Sequence, residues 1–136
     1  MGEQKDGRKK ILVLDDEPNV VTYLETLLQD NGYETVSAAD GRQGMEKARS
    51  EKPDLITLDI SMPEKSGVRF YRELKEAREL AATPVVIVTA VTGYGGSPED
   101  FEKFISGRKH VPPPDGFVAK PIDREELLKV IGDLLS

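Results

Sequence analysis

The stretch at residues 54–59 reads DLITLD, an apolar run that ends at an acidic side chain, Asp59. Residues 10–16, KILVLDD, show the same pattern and end at Asp15 and Asp16. A short continuous apolar run is typical of a strand that is buried on both faces, as strands of parallel sheets are. The two stretches therefore predict neighbouring parallel strands that end in carboxylates.

Strand patterns and helix patterns alternate along the rest of the chain. We predict strands at residues 10–14, 33–38, 54–58, 85–89 and 117–119, and five helices, which begin near Pro18, Gly41, Val68, Pro98 and Asp123. This alternation favours an α/β fold with a five-stranded parallel sheet, doubly wound so that helices cover both faces. The carboxyl ends of such strands share one edge, where ligands bind. The polar residues expected at that edge are Asp15, Asp16, Asp59, Thr89 and Lys120.

Length and composition indicate a single water-soluble domain. The chain has 136 residues, of which 38% are hydrophobic and 32% charged. A net charge of −6 argues against direct binding to nucleic acid. The absence of cysteine excludes disulfides and thiolate chemistry. No run approaches the roughly 20 apolar residues of a membrane span, and the polar start does not match a signal peptide, so we expect a cytoplasmic protein without membrane contact.

The three carboxylates expected at the sheet edge need a positive partner. Two such groups about 4 Å apart repel by roughly 4 kcal/mol at an effective dielectric constant near 20. Lys120 supplies one positive charge. Oxygen ligands without His or Cys favour a hard dication, Mg²⁺ or Mn²⁺. Beside such cations Asp59 is well placed to attack phosphorus, whereas Asp15 and Asp16 are better suited to holding metal.

In its motifs the sequence resembles the response-regulator receiver domains of two-component signalling, the CheY-like family. The marks of the resemblance, in chain order, are Asp15-Asp16, Leu58-Asp59-Ile60-Ser61-Met62-Pro63 with Gly67 after it, Val88-Thr89-Ala90, and Lys120-Pro121. They span nearly the whole chain. The resemblance implies a flavodoxin-like sheet with the strand order 2-1-3-4-5, and a receiver domain over residues 10–136 that follows a polar tail at residues 1–9.

The resemblance also implies a role for each site residue. Asp59 would be phosphorylated by a sensor histidine kinase or a phosphotransfer protein. Asp16, Asp59 and the main-chain carbonyl of Ser61 would bind Mg²⁺, with Asp15 acting mainly through a water. Thr89 and Lys120 would contact the phosphoryl group, Phe117 would turn inward as the aromatic switch, and the bond before Pro121 would be cis. The output would be a contact with a downstream protein or a fused output domain. Whether the domain forms a homodimer is left open by the resemblance.

The segment at about residues 91–116 departs from the family pattern. It holds several glycines after Val91 and the triplet Pro112-Pro113-Pro114, which cannot continue a helix. It makes the stretch of sequence from Thr89 to Lys120 longer than usual for the family, by about the number of residues in two helical turns. We therefore expect an extended or irregular connection with a short, displaced helix.

Two other function classes fit the sequence less well. An Mg²⁺-dependent phosphatase with an aspartate nucleophile would usually have a second acid two residues after Asp59, where this chain has Ser61. A flavodoxin-like carrier would have a phosphate-binding loop rich in glycine and serine after the first strand, and this chain has none there. A receiver that has lost phosphorylation would not need the full set of acids, threonine and lysine.

Overall fold

The structure is a computed structural model that describes residues 8–60, 66–90 and 114–136 and, within these ranges, all side chains except those of residues 66, 89 and 90. The strands are β1 (Lys10–Leu14), β2 (Glu34–Ala38), β3 (Leu55–Leu58), β4 (Val85–Ala90) and β5 (Gly116–Lys120). The helices of these ranges are α1 (Pro18–Asp30), α2 (Gly41–Glu51), α3 (Ser66–Glu76) and α4 (Arg124–Leu135). The predicted short helix at residues 98–105 lies outside the described residues.

All five strands join one parallel sheet in the order β2-β1-β3-β4-β5. The predicted doubly wound, flavodoxin-like fold is confirmed. Of the irregular connection predicted at residues 91–116, the structure describes only residues 114–116, and Gly116 already belongs to β5.

The helices begin where the sequence offers a suitable first turn. Pro18 starts α1, where its missing N–H group costs no hydrogen bond. The Asp40 carboxylate accepts the Gln43 N–H at 2.8 Å and caps α2. Asp123 caps α4 by accepting the N–H groups of Glu125 and Glu126. Among the helices of the described ranges, none combines the length and the apolar character that a membrane crossing requires.

Each face of the sheet packs into its own apolar cluster, because side chains alternate along a strand. On one face Leu14 and Leu58 lie in a cluster with Phe70 and other residues of α2 and α3. On the other face Val13 and Leu55 pack with residues of α1 and α4. Residues 11–14 of β1 and 55–58 of β3 are 0–1% exposed, as expected for strands covered on both sides. On these two central strands the helices thus leave only the strand ends accessible.

Candidate functional site

Asp15 and Asp59 follow two paired strands, and the register of the strands brings them side by side. Leu14 at the end of β1 pairs with Leu58 at the end of β3. The Asp59 N–H donates to the Leu14 carbonyl at 3.0 Å, and the Asp15 N–H donates to the Ala38 carbonyl at 3.2 Å. These bonds extend the sheet ladder by one residue and fix the backbone of both acids.

The structure brings the three acidic side chains together, as the sequence predicts. Asp15 is 2% exposed and Asp59 is 4% exposed, whereas Asp16 is exposed to solvent. Each of the three offers a carboxylate oxygen, and these oxygens all lie within 4.8 Å of one another. An all-oxygen set of this size and charge suits a hard divalent cation.

Lys120 reaches the same cluster from the end of β5. Its Nζ lies 3.2 Å from Asp15 Oδ2 and 3.4 Å from Asp59 Oδ2. β5 is separated from β3 by β4, so a long side chain is needed to span that distance. The lysine side chain is 18% exposed. Its single ammonium group contacts both buried carboxylates.

Burial and charge move the pKa values of this cluster in a consistent way. Burial raises the pKa of the Asp15 carboxyl, and repulsion from Asp59 adds to that rise, while the Glu17 N–H and Lys120 only partly offset it. For Lys120, burial alone would lower the ammonium pKa, but the nearby Asp59 and Asp15 carboxylates outweigh it and raise the pKa. Lys120 faces two anions, whereas Asp15 faces one cation and one anion, so the site carries an excess of negative charge.

The other predicted site residues are described to different extents. Thr89 lies in β4 with its backbone paired to Ala119, but its side chain and the whole of Ser61 lie outside the described parts of the chain. Phe117 is half-buried and packs against the cluster that contains α3. The Lys120–Pro121 peptide bond is cis.

Sequence reasoning missed the hydrogen bond that orients Asp15. Asp15 Oδ1 accepts the Glu17 N–H at 2.9 Å, two residues along the chain. Aspartate commonly closes such a turn before a helix, and here the helix starts at Pro18, so the pattern Asp-x-Glu-Pro was an available signal. With Oδ2 beside Lys120, both oxygens of Asp15 have donors within the protein.

Comparison with known proteins shows the family. The family model for the response regulator receiver domain matches residues 11–132. The chain belongs to the response regulator receiver domain family. It is therefore a signalling domain of two-component systems, and its family role is that of a phosphoacceptor.

Relatives of known name agree with this assignment. Protein PilH of Pseudomonas aeruginosa is 33% identical over 127 residues, which are 93% of this chain and 98% of PilH. The alkaline phosphatase synthesis transcriptional regulatory protein PhoP of Bacillus subtilis is 34% identical over 119 residues, 88% of this chain. Those residues span only 45% of PhoP, so this chain corresponds to a part of that protein.

Solved structures show the same architecture. The chemotaxis protein CheY4 of Vibrio cholerae superposes with a TM-score of 0.80 at 32% identity and covers 95% of this chain and all of that one. The receiver domain of the sensor histidine kinase PA1611 from Pseudomonas aeruginosa has a TM-score of 0.78 at 23% identity, covering 95% of this chain and 98% of that one. In that structure a magnesium ion is coordinated in the active-site cleft.

Proposed function

We propose that Asp59 is the residue that accepts the phosphoryl group. The observation that carries this proposal is the contact of one ammonium group, Lys120 Nζ, with the buried carboxylates of Asp59 and Asp15. A carboxylate oxygen of Asp59 forms a bond to phosphorus while the bond from phosphorus to the donor breaks, and the donor leaves with the electron pair. The only reactions that the domain catalyses are its own phosphorylation and dephosphorylation.

Asp59 is a better acceptor than the other two acids. Asp15 uses one oxygen for the Glu17 N–H and the other for Lys120, so its carboxylate is held as a structural and electrostatic group. Asp16 is exposed and lies two residues beyond the end of β1. Asp59 stands at the end of the central strand β3, with its backbone tied to β1, and such fixed positioning is what phosphoryl transfer requires of its nucleophile.

We propose that the same acids hold Mg²⁺, with Mn²⁺ able to replace it. The donor set fits, because three carboxylate oxygens lie within 4.8 Å and two of the acids are buried. Asp16, Asp59 and the Ser61 main-chain carbonyl would bind the ion directly, and Asp15 would act through a water. When bound, the ion would offset negative charge on the transferring group.

Phosphorylation changes the contacts of three side chains, those of Lys120, Thr89 and Phe117. Lys120 already faces Asp59 and pairs with the added phosphoryl oxygens. The Thr89 hydroxyl moves onto the phosphoryl group. Phe117, half-buried at the edge of the core, turns further inward and changes the surface around β5. Phosphorylation thereby shifts an equilibrium between two conformations of the domain. The shift can be no larger than the difference between the contacts that the phosphoryl group makes in the two conformations.

The partners follow from the class of protein. Response regulators receive phosphoryl groups from histidine kinases and pass the signal to output targets. For this chain the donor is a sensor histidine kinase or a phosphotransfer protein in the cytoplasm. The output is a protein contact, either with a separate target, a fused output domain or a second copy of the chain.

Incubation with acetyl phosphate and Mg²⁺, followed by intact-mass analysis, tests the proposal. The wild type should gain the mass of one phosphoryl group, and Asp59→Asn should gain none. Asp133→Asn, which removes an acid that is 71% exposed, is the matched control and should be modified like the wild type. A gain of mass in Asp59→Asn would place the acceptor elsewhere.

A further inference from the structure

We propose that Gly67 is a positioning residue for Asp59: the absence of a side chain at Gly67 lets α3 lie directly on the Asp59 main chain and sets the carboxylate for Mg²⁺. This inference rests on the proposed function and adds a residue that touches neither the metal nor the phosphoryl group. It concerns the first turn of α3, which begins at Ser66.

The contact between Gly67 and the end of β3 leaves no room for a β-carbon. A β-carbon added at Gly67 would lie 2.6 Å from the Asp59 carbonyl oxygen and 2.7 Å from the Ile60 Cα. Ordinary van der Waals contact begins at about 3.4 Å, and real β-carbons essentially never come within 3.0 Å of such atoms. Both obstructing atoms are main-chain atoms, so a side-chain rotation cannot relieve the clash.

Gly44 and Gly132, two other glycines in the described ranges, do not have this relation to the site. At Gly44 an added β-carbon would meet the side chains of Leu14, at 2.8 Å, and Phe70, at 2.9 Å. At Gly132, in α4, it would meet nothing within 4 Å. The clash with site backbone therefore distinguishes Gly67, and the other two glycines provide controls for core packing and for helix propensity.

A shift of the Asp59 carbonyl would be passed on to its carboxylate. The N–H of Asp59 is held by the Leu14 carbonyl at 3.0 Å, while its carbonyl faces Gly67. Displacing the carbonyl while the N–H stays bonded turns the residue and moves its side chain relative to Asp15 and Lys120. The same displacement moves Ile60, the residue directly before Ser61, whose carbonyl we propose as a metal ligand.

Retreat of α3 as a whole is the costlier way to relieve the clash. Phe70, Tyr71 and Leu74 anchor this helix in the core and are each 0–1% exposed. Moving the helix would open space around all three, and lost core packing typically costs several kcal/mol. Ile60 is only partly buried, whereas the three helix residues are fully buried, so we expect the main chain at Asp59 and Ile60 to yield before the helix does.

Calorimetric titration of Mg²⁺ into Gly67→Ala, Gly44→Ala, Gly132→Ala and the wild type tests the inference. Gly67→Ala should bind Mg²⁺ about 10- to 100-fold more weakly, the range found when groups that orient a metal ligand are removed. Gly44→Ala should lose stability to unfolding but keep its Mg²⁺ affinity within about twofold, and Gly132→Ala should match the wild type in affinity. In the metal-free protein, the NMR signal of the Asp59 carboxyl carbon should shift in Gly67→Ala and stay in place in Gly44→Ala.

The outcomes separate this inference from the proposed function. Wild type that binds no Mg²⁺ would overturn both. Wild type that binds Mg²⁺, with Gly67→Ala binding it equally well, would overturn only the role of Gly67. If Gly67→Ala does not fold, the titration is made in the Gly132→Ala background, where alanine adds helix propensity. Failure to fold there as well would also overturn the inference, because Gly67 would then serve the fold as a whole.

Discussion

At the scale of single residues, burial decides what the acids of the site can do. Asp16 is exposed and keeps its water, but Asp15 and Asp59 are nearly enclosed and depend on protein donors and on cations. One lysine cannot balance three carboxylates. Without a metal the site therefore stores unfavourable electrostatic energy, which the proposed divalent cation would relieve on binding.

Asp15→Asn should stabilise the metal-free protein at pH 7. Burial raises the folded-state pKa of Asp15 above its unfolded value of about 3.9, so the folded protein loses stability as the pH rises from that value through the folded pKa. The variant lacks this loss. Urea unfolding without divalent cations should show a larger gain over wild type at pH 7 than at pH 4. A gain that shrinks toward pH 7 would contradict the electrostatic account.

The sequence was sufficient to predict which side chains converge, because Asp15, Asp16, Asp59 and Lys120 each stand directly after or at the end of an apolar strand pattern. It did not predict the bond from the Glu17 N–H to Asp15, which depends on the local path of the main chain. Nor did it predict why position 67 needs a glycine. That need arises from the close approach of α3 to the end of β3, which is a product of tertiary packing.

At the scale of elements, strands and helices form where local signals agree with burial. β1 and β3 were predictable from unbroken apolar runs. The second strand was predicted from Tyr33 and begins at Glu34, and the fifth was predicted at residues 117–119 and extends over Gly116–Lys120. Strand ends are hard to predict because pairing with a neighbour, here β4, extends the ladder past the apolar residues.

Asp40→Ala should destabilise the protein without affecting Mg²⁺ binding. The Asp40 carboxylate accepts the Gln43 N–H at the start of α2, and loss of such a cap costs about 1 kcal/mol. Asp40→Asn keeps an oxygen acceptor and should retain most of the stability. Chemical unfolding of the two variants and the wild type gives the comparison. Equal destabilisation by alanine and asparagine would show that charge, rather than capping, is what Asp40 supplies.

At the scale of the whole molecule, the parallel topology creates the site. The strand order puts β3 at the centre and brings β1 and β5 within reach of it, so residues that are 105 positions apart, Asp15 and Lys120, share a hydrogen bond. The parallel, doubly wound arrangement was predictable from the alternation of strand and helix patterns, whereas the strand order was predicted from the resemblance to receiver domains. The course of residues 91–113 was not predictable from the sequence. Glycine and proline are sequence signals that a helix or strand ends, but they do not specify the path of the chain.

Mg²⁺ should stabilise the whole domain through the site. A ligand that binds only the folded state adds about 2.7 kcal/mol to the free energy of unfolding at 100 times its Kd. Thermal unfolding should therefore shift to higher temperature with added Mg²⁺ in the wild type, and by less in Asp16→Asn. Equal shifts in the two proteins would show that the ion acts at another place.

The most direct test of the central claim is to locate the acyl phosphate chemically. Treatment of the phosphorylated wild-type protein with borohydride reduces an aspartyl phosphate to homoserine, which peptide mass mapping then assigns to one position. The account predicts conversion at position 59 and at no other. Conversion at position 15 or 16, or none in protein that has gained the phosphoryl mass, would contradict it.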